Sequence, residues 1–378
     1  MNVYFDNAAT TPLDPEVFEA MKPYMTEFYG NPSSIHSHGR RVRSAIEKAR
    51  KTVAELLNVS PAEIFFTSGG TEADNTAICR SVESLNIKHA VTSAVEHHAV
   101  LHTLETLEKA GKIKISMVEL DQKGHLDYHH LEELLHENPK SLVSLMHANN
   151  EIGNLADIKR ISMLCYEYKS IFHSDAVQSI AHYRLDLQDF AAHCLVGSAH
   201  KFHGPKGIGF LYLNSDHKIP PYIMGGGQER NMRGGTENVY GIVGLAKAME
   251  IAYDHLDQHE KHIRTLKKRM VQKLKDQLPG VDFNGDSASP LSLYTVLNVC
   301  LPPTEDNDML LFNLDINNIS VSGGSACSSG SSVGSHVLEA IHSDPNRGAI
   351  RFSFSKFNKV EEVDYVIDKL AELYSIKA

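Results

Sequence analysis

The sequence predicts an α/β protein with a mostly parallel sheet and helices on both faces, followed by a smaller α+β domain. Three observations carry this. Short apolar runs alternate with segments of 3.6-residue apolar period through the first two thirds of the chain. The runs end in polar turns, several of them containing glycine. A long polar-faced helical stretch, about His255–Gln277, then leads into a segment with a different order of elements.

Residues 1–13 read as short and extended, with a polar turn at Asn7-Ala-Ala-Thr-Thr-Pro12. Asp14-Pro15-Glu16 is a helix start: an acid to cap, proline at the first position, an acid in the first turn. That helix is expected to run to about Phe28, before Gly30-Asn-Pro-Ser-Ser breaks it. Val42, Ile46, Ala49, Val53 and Leu56 recur at steps of four and three, one apolar face of a second helix. Ile64–Thr67 is a short strand. Further strands are expected at Ala90–Ser93, Ile113–Val118, Leu142–Met146, Ile171–His173, Cys194–Val196 and Gly209–Leu213. Helices are expected at Ala99–Lys109, Tyr128–Glu137, Asp157–Tyr168 and Val239–Leu256. Beyond the long helix lie a strand at Thr295–Cys300, a helix start at Glu305–Asn313, a Gly/Ser segment at 321–335, a strand at Ile350–Ser353 and a final helix from Lys359. The expected division is a large domain over 14–256 and a small one formed by 1–13 and 257–378.

The 378 residues suffice for two cores, and 42% hydrophobic with 22% charged residues suits a soluble globular chain. A formal charge of −10 argues against direct nucleic-acid binding. The run Arg40-Arg41-Val42-Arg43 reads as a solvated or subunit-facing patch. No signal peptide and no apolar run long enough for a membrane helix is visible, so a cytoplasmic protein with no membrane partner is expected. The five cysteines, Cys79, Cys165, Cys194, Cys300 and Cys327, are scattered without CxxC spacing, against a disulfide framework or an intrinsic metal site. Most of the 22 histidines are read as surface residues, in pairs such as His129-His130.

Strand carboxyl ends are where such sheets place catalytic groups. Ser68-Gly-Gly-Thr71 closes a strand and opens a helix, an anion seat of backbone N–H groups. Val95-Glu96-His97-His98 offers an imidazole to lie on a ring or move protons. His147-Ala-Asn149-Asn150-Glu151 offers neutral amides. His173-Ser-Asp175-Ala-Val-Gln178 offers a carboxylate for a protonated ring nitrogen and an amide three residues on. Gly197-Ser198-Ala-His200-Lys201-Phe-His-Gly-Pro-Lys206-Gly207 offers two lysines beside hydroxyl and imidazole groups. Burial at a strand end disfavours an ammonium and makes a neutral, nucleophilic amine available. Together these are the groups a pyridoxal phosphate site requires.

With these motifs, and with Tyr4-Phe-Asp-Asn-Ala-Ala-Thr-Thr-Pro12, Gly225-Gly-Gly-Gln-Glu229, Arg233-Gly-Gly-Thr-Glu-Asn238, Gly324-Ser-Ala-Cys-Ser328 and Ile350-Arg-Phe-Ser353, the chain resembles a cysteine desulfurase. The type is the nitrogenase-associated and iron–sulfur-assembly one (NifS/IscS-type), among the class V aminotransferases and fold-type I pyridoxal phosphate enzymes. The resemblance runs from Tyr4 to about Asp364.

It implies a fold-type I large domain with a sheet of the seven-stranded type, and pyridoxal 5'-phosphate as cofactor. It implies Lys201, ahead of Lys206, as the lysine that binds the cofactor's aldehyde. Gly70, Thr71, Ser198 and His200 would hold the phosphate. Thr236 would reach the phosphate of a neighbouring subunit, hence a homodimer. Asp175 would pair with the ring nitrogen, Gln178 with the phenolate oxygen, and His97 would stack on the ring and serve in catalysis. Asn150 and Arg351 would face cofactor and substrate carboxylate; an arginine fork matches a carboxylate bidentately.

Cys327 would be the acceptor of sulfur. It lies in Val321–Ser335, where eleven of fifteen residues are Gly or Ser, a composition that builds no core and predicts an exposed thiol able to travel. The implied reaction converts L-cysteine to L-alanine with a persulfide left on Cys327. Implied partners are sulfur acceptors such as an iron–sulfur scaffold, with which Cys327 could share a cluster, or a tRNA-thiolation protein. The segment Ser332-Val-Gly-Ser335 departs from the family, where many members have an acidic residue and proline before Ser-His-Val-Leu. Competing readings are a selenocysteine lyase or another C–S lyase of class V, and an inactive partner that binds a scaffold.

Overall fold

A computed structural model describes residues 1–303, 307–323 and 334–375. The chain opens with β1 (Val3–Tyr4), α1 (Pro15–Thr26) and α2 (Ser37–Leu56). Asp14 caps α1 as its sequence predicts, its Oδ1 accepting from the Glu16 N–H at 2.8 Å, with Pro15 next. The alternating part follows: β2 (Ile64–Thr67), α3 (Gly70–Ser84), β3 (His89–Thr92), α4 (His98–Lys109), β4 (Lys114–Met117), α5 (Tyr128–Glu137), β5 (Leu142–Ser144), α6 (Ile158–Glu167), β6 (Ile171–Asp175), β7 (Cys194–Ser198) and β8 (Gly209–Leu213). Helices α7 (Val239–Asp254) and α8 (Leu256–Gln277) lead to β9 (Asp282–Phe283), β10 (Val296–Pro303), α9 (Leu310–Ile316), β11 (Ile319–Ser320), α10 (His336–Ala340), β12 (Arg347–Ser353) and α11 (Val360–Ser375).

Seven strands form the main sheet in the order β2-β8-β7-β6-β5-β3-β4. Six run parallel and β8 runs against both neighbours. The carboxyl ends of β2, β3, β5, β6 and β7 therefore lie on one edge. Fully buried Val143, Phe172 and Leu195 on adjacent strands belong to a large apolar cluster that includes Val17 and Met249 of α1 and α7. On the opposite face α3 packs on β6, β7 and β8.

A second apolar cluster joins Val3 and Phe5 to Leu266 and Met270 of α8, Leu297 of β10, Phe352 of β12 and Val366 of α11. It lies over a three-stranded antiparallel sheet, β12-β10-β9.

Two expectations move. The helix over Val239–Leu256 and the one over His255–Gln277 meet at His255, which ends the first and precedes the second. The strand at Ile350–Ser353 begins earlier, at Arg347, because Arg347 pairs with Pro303 across β10 and its guanidinium donates to the Cys300, Leu301 and Gly280 carbonyls. Partners rather than local apolar pattern recruit those residues. The parallel pair β1–β11 is two residues long, too short to leave a period-2 signal.

Four of the 22 histidines depart from the surface reading made of most of them. His147, His173, His203 and His217 are buried, not on the surface. Serine hydroxyls bridge three of them: His173 Nδ1 to Ser144 Oγ at 2.8 Å, His147 Nδ1 to Ser179 Oγ at 2.9 Å and His217 Nε2 to Ser81 Oγ at 2.8 Å. A neutral imidazole with a hydroxyl partner is compatible with a core, whereas a charged one is not. Burial accordingly pushes these imidazoles down, to about 4 for His147 and His217 and about 3 for His173 and His203. His129 remains exposed on α5.

Candidate active site

The sheet edge converges on one cleft of about 220 Å³. Gly70, Thr71, His97, Asn150, Asp175, Gln178, Ser198, His200, Lys201 and Arg351 all line it.

The backbone explains the placing. β2 ends at Thr67 and α3 begins at Gly70, so the unpaired N–H groups of its first turn face the cleft. A Cβ on Gly70 would come within 2.9 Å of Val177, a crowding that favours glycine there. Thr71 follows on the same turn. Ser198 closes β7, and a short 3-10 turn, Ala199–Lys201, projects His200 and Lys201. His200 Nδ1 lies 3.1 Å from Thr10 Oγ1, and burial, with the Lys201 and Lys206 charges, pushes its imidazole down to about 4. A neutral imidazole, serine and threonine hydroxyls and a helix N-terminus form a seat for an anion.

Lys201 Nζ donates to the carbonyls of Ala8 at 2.6 Å and Ala9 at 2.9 Å. The N-terminal turn thus fixes the amine. Ala8 O also accepts from Gln178 Nε2 at 3.0 Å, which aligns that amide. Asp175 ends β6; its Oδ1 accepts from the Val177 N–H at 2.9 Å. Burial raises the Asp175 carboxyl, while His97, that N–H and Lys201 pull the other way. His97 caps α4, its Nδ1 accepting from the Ala99 N–H at 3.1 Å, which leaves Nε2 to carry the proton. Burial holds this imidazole below its ordinary value despite Asp175.

The two neighbouring asparagines divide their labour. Asn149 builds the turn, its Oδ1 accepting from Glu151 N at 2.8 Å and Ile152 N at 2.9 Å and its Nδ2 donating to Val95 O at 2.8 Å. Asn150 lines the cleft, and its carbonyl accepts from Arg351 Nη1 at 3.1 Å. Arg351 is 1% exposed, with Nη2 donating to Asp6 Oδ1 at 3.0 Å and Nε buried without a hydrogen-bond partner among the described residues.

Thr236 does not join this group; it lines a separate cleft with Ser68, Arg233 and Glu237. Glu229 anchors the loop before it. Its carboxylate receives Arg50 Nη1 and Nη2, each at 2.8 Å, and the Phe66 N–H at 2.8 Å. Cys327 lies outside the described residues. Burial raises the thiols of Cys79, Cys165, Cys194 and Cys300, which disfavours the thiolate in each.

Several contributors escaped sequence reasoning: Asp6, Asp74 and the Ala8 and Ala9 carbonyls. Asp74 carried a usable signal. It follows Gly70 and Thr71 by four and three residues on a helix, and so shares their face.

A family model for class V aminotransferases matches residues 3–366. The cysteine desulfurase IscS of Dictyoglomus turgidum is 42% identical over 375 residues, covering 98% of this chain and 94% of that one. The cysteine desulfurase IscS of Clostridium botulinum is 41% identical over 376 residues, with the same coverage. A solved NifS-like protein superposes with a TM-score of 0.91 at 38% identity, over 100% of both chains. The chain belongs to the class V aminotransferase family, within its cysteine desulfurases of the NifS/IscS type, and has the fold-type I architecture.

Proposed function

From that membership we propose that the protein is a pyridoxal 5'-phosphate-dependent cysteine desulfurase that converts L-cysteine to L-alanine and passes the sulfur to Cys327. One observation carries the reading: Lys201, Asp175, His97, Gln178 and an anion seat converge in one cleft.

The donor set fits the cofactor. Gly70, Thr71, Ser198 and His200 would hold its phosphate, Asp175 its ring nitrogen, Gln178 its phenolate oxygen, His97 one ring face and Lys201 its aldehyde carbon. When bound, pyridoxal phosphate supplies an aldehyde that links to amines and an electron-withdrawing ring that stabilises charge at the α-carbon.

The chain's own residues do the rest. Lys201 Nζ would hold the aldehyde carbon between turnovers and serve as the base for the substrate's α-proton. Asp175 would accept from the N–H of that ring nitrogen and so favour its protonated form. Arg351 binds the substrate carboxylate. The Cys327 thiolate attacks the substrate sulfur; the carbon–sulfur bond breaks, a sulfur–sulfur bond forms, and the three-carbon fragment takes up a proton and leaves as L-alanine.

Thr236, set apart from its own chain's cleft, would complete the phosphate seat of a second copy in a homodimer. The division into 14–256 and 1–13 with 257–378 is supported by the two large apolar clusters. An iron–sulfur scaffold or a tRNA-thiolation protein would receive the persulfide in the cytoplasm. No helix among the described residues is long and apolar enough to cross a membrane.

The test mixes holoenzyme with L-cysteine and follows alanine and protein-bound persulfide. Cys327→Ala is expected to bind cofactor normally and form no persulfide. Sulfide release at the wild-type rate by Cys327→Ala would overturn the role of this cysteine. Equal turnover of L-selenocysteine or L-cystine without Cys327 would favour a C–S lyase instead.

A further inference from the structure

The N-terminal strand, the stem leading to Cys327 and the strand carrying Arg351 are knitted together at one place. Phe5 N donates to Ser320 O at 2.9 Å, Arg351 N to Ser322 O at 2.7 Å and Ser353 N to Phe5 O at 2.7 Å. Ser322 and Arg351 form a β-bridge, and so do Asp6 and Ser353. At the centre, Asp6 Oδ1 accepts from Arg351 Nη2 at 3.0 Å and from Ser322 Oγ at 2.8 Å. The turn carrying Asp6 is itself held, with Tyr4 Oη donating to the Asp6 carbonyl at 3.2 Å and the Thr10 carbonyl at 2.8 Å.

We propose that Asp6 is a positioning residue that couples the amino-acid-binding arginine to the chain leading to Cys327, through the one oxygen that Arg351 and Ser322 share. This rests on the reading that Arg351 takes the substrate carboxylate.

Three physical points support it. First, the Arg351 fork is oriented from both sides, by Asp6 on Nη2 and by the Asn150 carbonyl on Nη1. A guanidinium so fixed loses little further freedom on meeting a carboxylate. Second, hydrogen bonds to a carboxylate are stronger than those between neutral groups, so both contacts to Asp6 are of the stronger kind. Third, Cys327 follows Ser322 by five positions, and an extended chain of that length reaches at most about 17 Å. Fixing Ser322 against the arginine therefore sets where the chain carrying Cys327 begins relative to the bound amino acid.

Removing one such contact should be visible in sulfur transfer before it is visible in binding. Single-turnover persulfide formation on Cys327, read by mass spectrometry, and the L-cysteine KM are measured on holoenzyme for Ser322→Ala, Asp6→Asn, Asp6→Ala and Arg351→Ala. Ser322→Ala loses only the stem contact. It is expected to slow persulfide formation about tenfold, the value of one hydrogen bond to a charged group. Its KM should stay within about twofold, and its cofactor absorbance should be unchanged. Asp6→Ala should slow transfer and also raise KM. Asp6→Asn, which keeps an acceptor oxygen, should recover part of both. Wild-type persulfide formation in Ser322→Ala would overturn the coupling, as would identical behaviour of Asp6→Asn and Asp6→Ala. Arg351→Ala with an unchanged KM would instead sink the carboxylate assignment on which the coupling rests.

Discussion

His173 Nε2 and Asp74 Oδ1 lie 3.3 Å apart beside the cleft, at 0% and 1% side-chain exposure, and neither atom has a hydrogen-bond partner elsewhere among the described residues. His173 and Asp175, two apart on β6, face the same way. Burial raises the Asp74 carboxyl well above its usual range, and the nearby Asp175 and Glu96 raise it further. Two adjacent buried carboxylates do not both ionise easily. His97 and Lys201 favour the charged form of Asp175. The neutral form of Asp74 is thereby favoured, which sets a carboxyl group able to donate beside His173 Nε2, while His173 Nδ1 lies 2.8 Å from Ser144 Oγ.

Asp74→Asn keeps a donor toward His173, and its stability should match the wild type. Asp74→Leu strands the imidazole nitrogen and should lose roughly 1–3 kcal/mol. Denaturant midpoints of the two variants decide; equal midpoints would remove the hydrogen bond from the account.

Buried and half-buried histidines set the acid limb of stability. Seven imidazoles, those of His147, His173, His182, His200, His203, His217 and His259, are pushed down to about 3 or 4, chiefly by burial. Below the ordinary histidine value of 6.5 the unfolded chain binds protons that the folded chain does not, so stability falls as pH falls through that window. Asp74, Glu96 and Asp175 are raised and act with the opposite sign, Glu96 up to about 8, but they are fewer. The urea midpoint of the cofactor-free protein should drop between pH 7 and pH 5, and less steeply in His217→Gln. A midpoint that rises on acidification would show that the carboxyls dominate.

Arg50 and Glu229 form a buried, doubly hydrogen-bonded pair linking α2 to the loop before Thr236. Removing either partner strands a charge, so Arg50→Ala or Glu229→Ala should cost about 3–5 kcal/mol. The double change to Met and Leu should cost less than either single change, because it leaves neither charge of the pair unmatched, although the Phe66 N–H and the Ile64 carbonyl each lose a partner. Thermal unfolding of the three variants tests this; a double variant as unstable as the singles would argue for a local backbone requirement at Glu229, whose φ is +45°.

Lys201 and Lys206 are separable by spectroscopy. Lys206 does not line the cleft that holds Asp175 and His97. Lys201→Ala mixed with pyridoxal phosphate should lack the visible absorbance of a cofactor linked to lysine, and Lys206→Ala should retain it. Retention of the band in Lys201→Ala would transfer the role to Lys206.

Much of the site was legible in the chain itself. Strand ends could be located because apolar runs and turn residues are local, and five such ends carried residues that line the cleft. Helix bounds such as Tyr128–Glu137, and strands Ile64–Thr67 and Gly209–Leu213, agree with their patterns residue for residue. Local pattern failed for Arg347, for the two-residue strands and for the buried histidines, because pairing partners and burial there come from distant segments.

The order of groups along the chain, the lysine, the carboxylate, the imidazole and the parallel sheet were determined by the sequence, since each depends on residue type and short-range period. Tertiary structure alone decided that Asn150 rather than Asn149 lines the cleft, that Asp74 faces His173, and that Asp6 holds Arg351 from 345 positions away. A hydrogen bond between such distant residues leaves no periodicity in either segment. It exists only once the sheet has brought the two strands together.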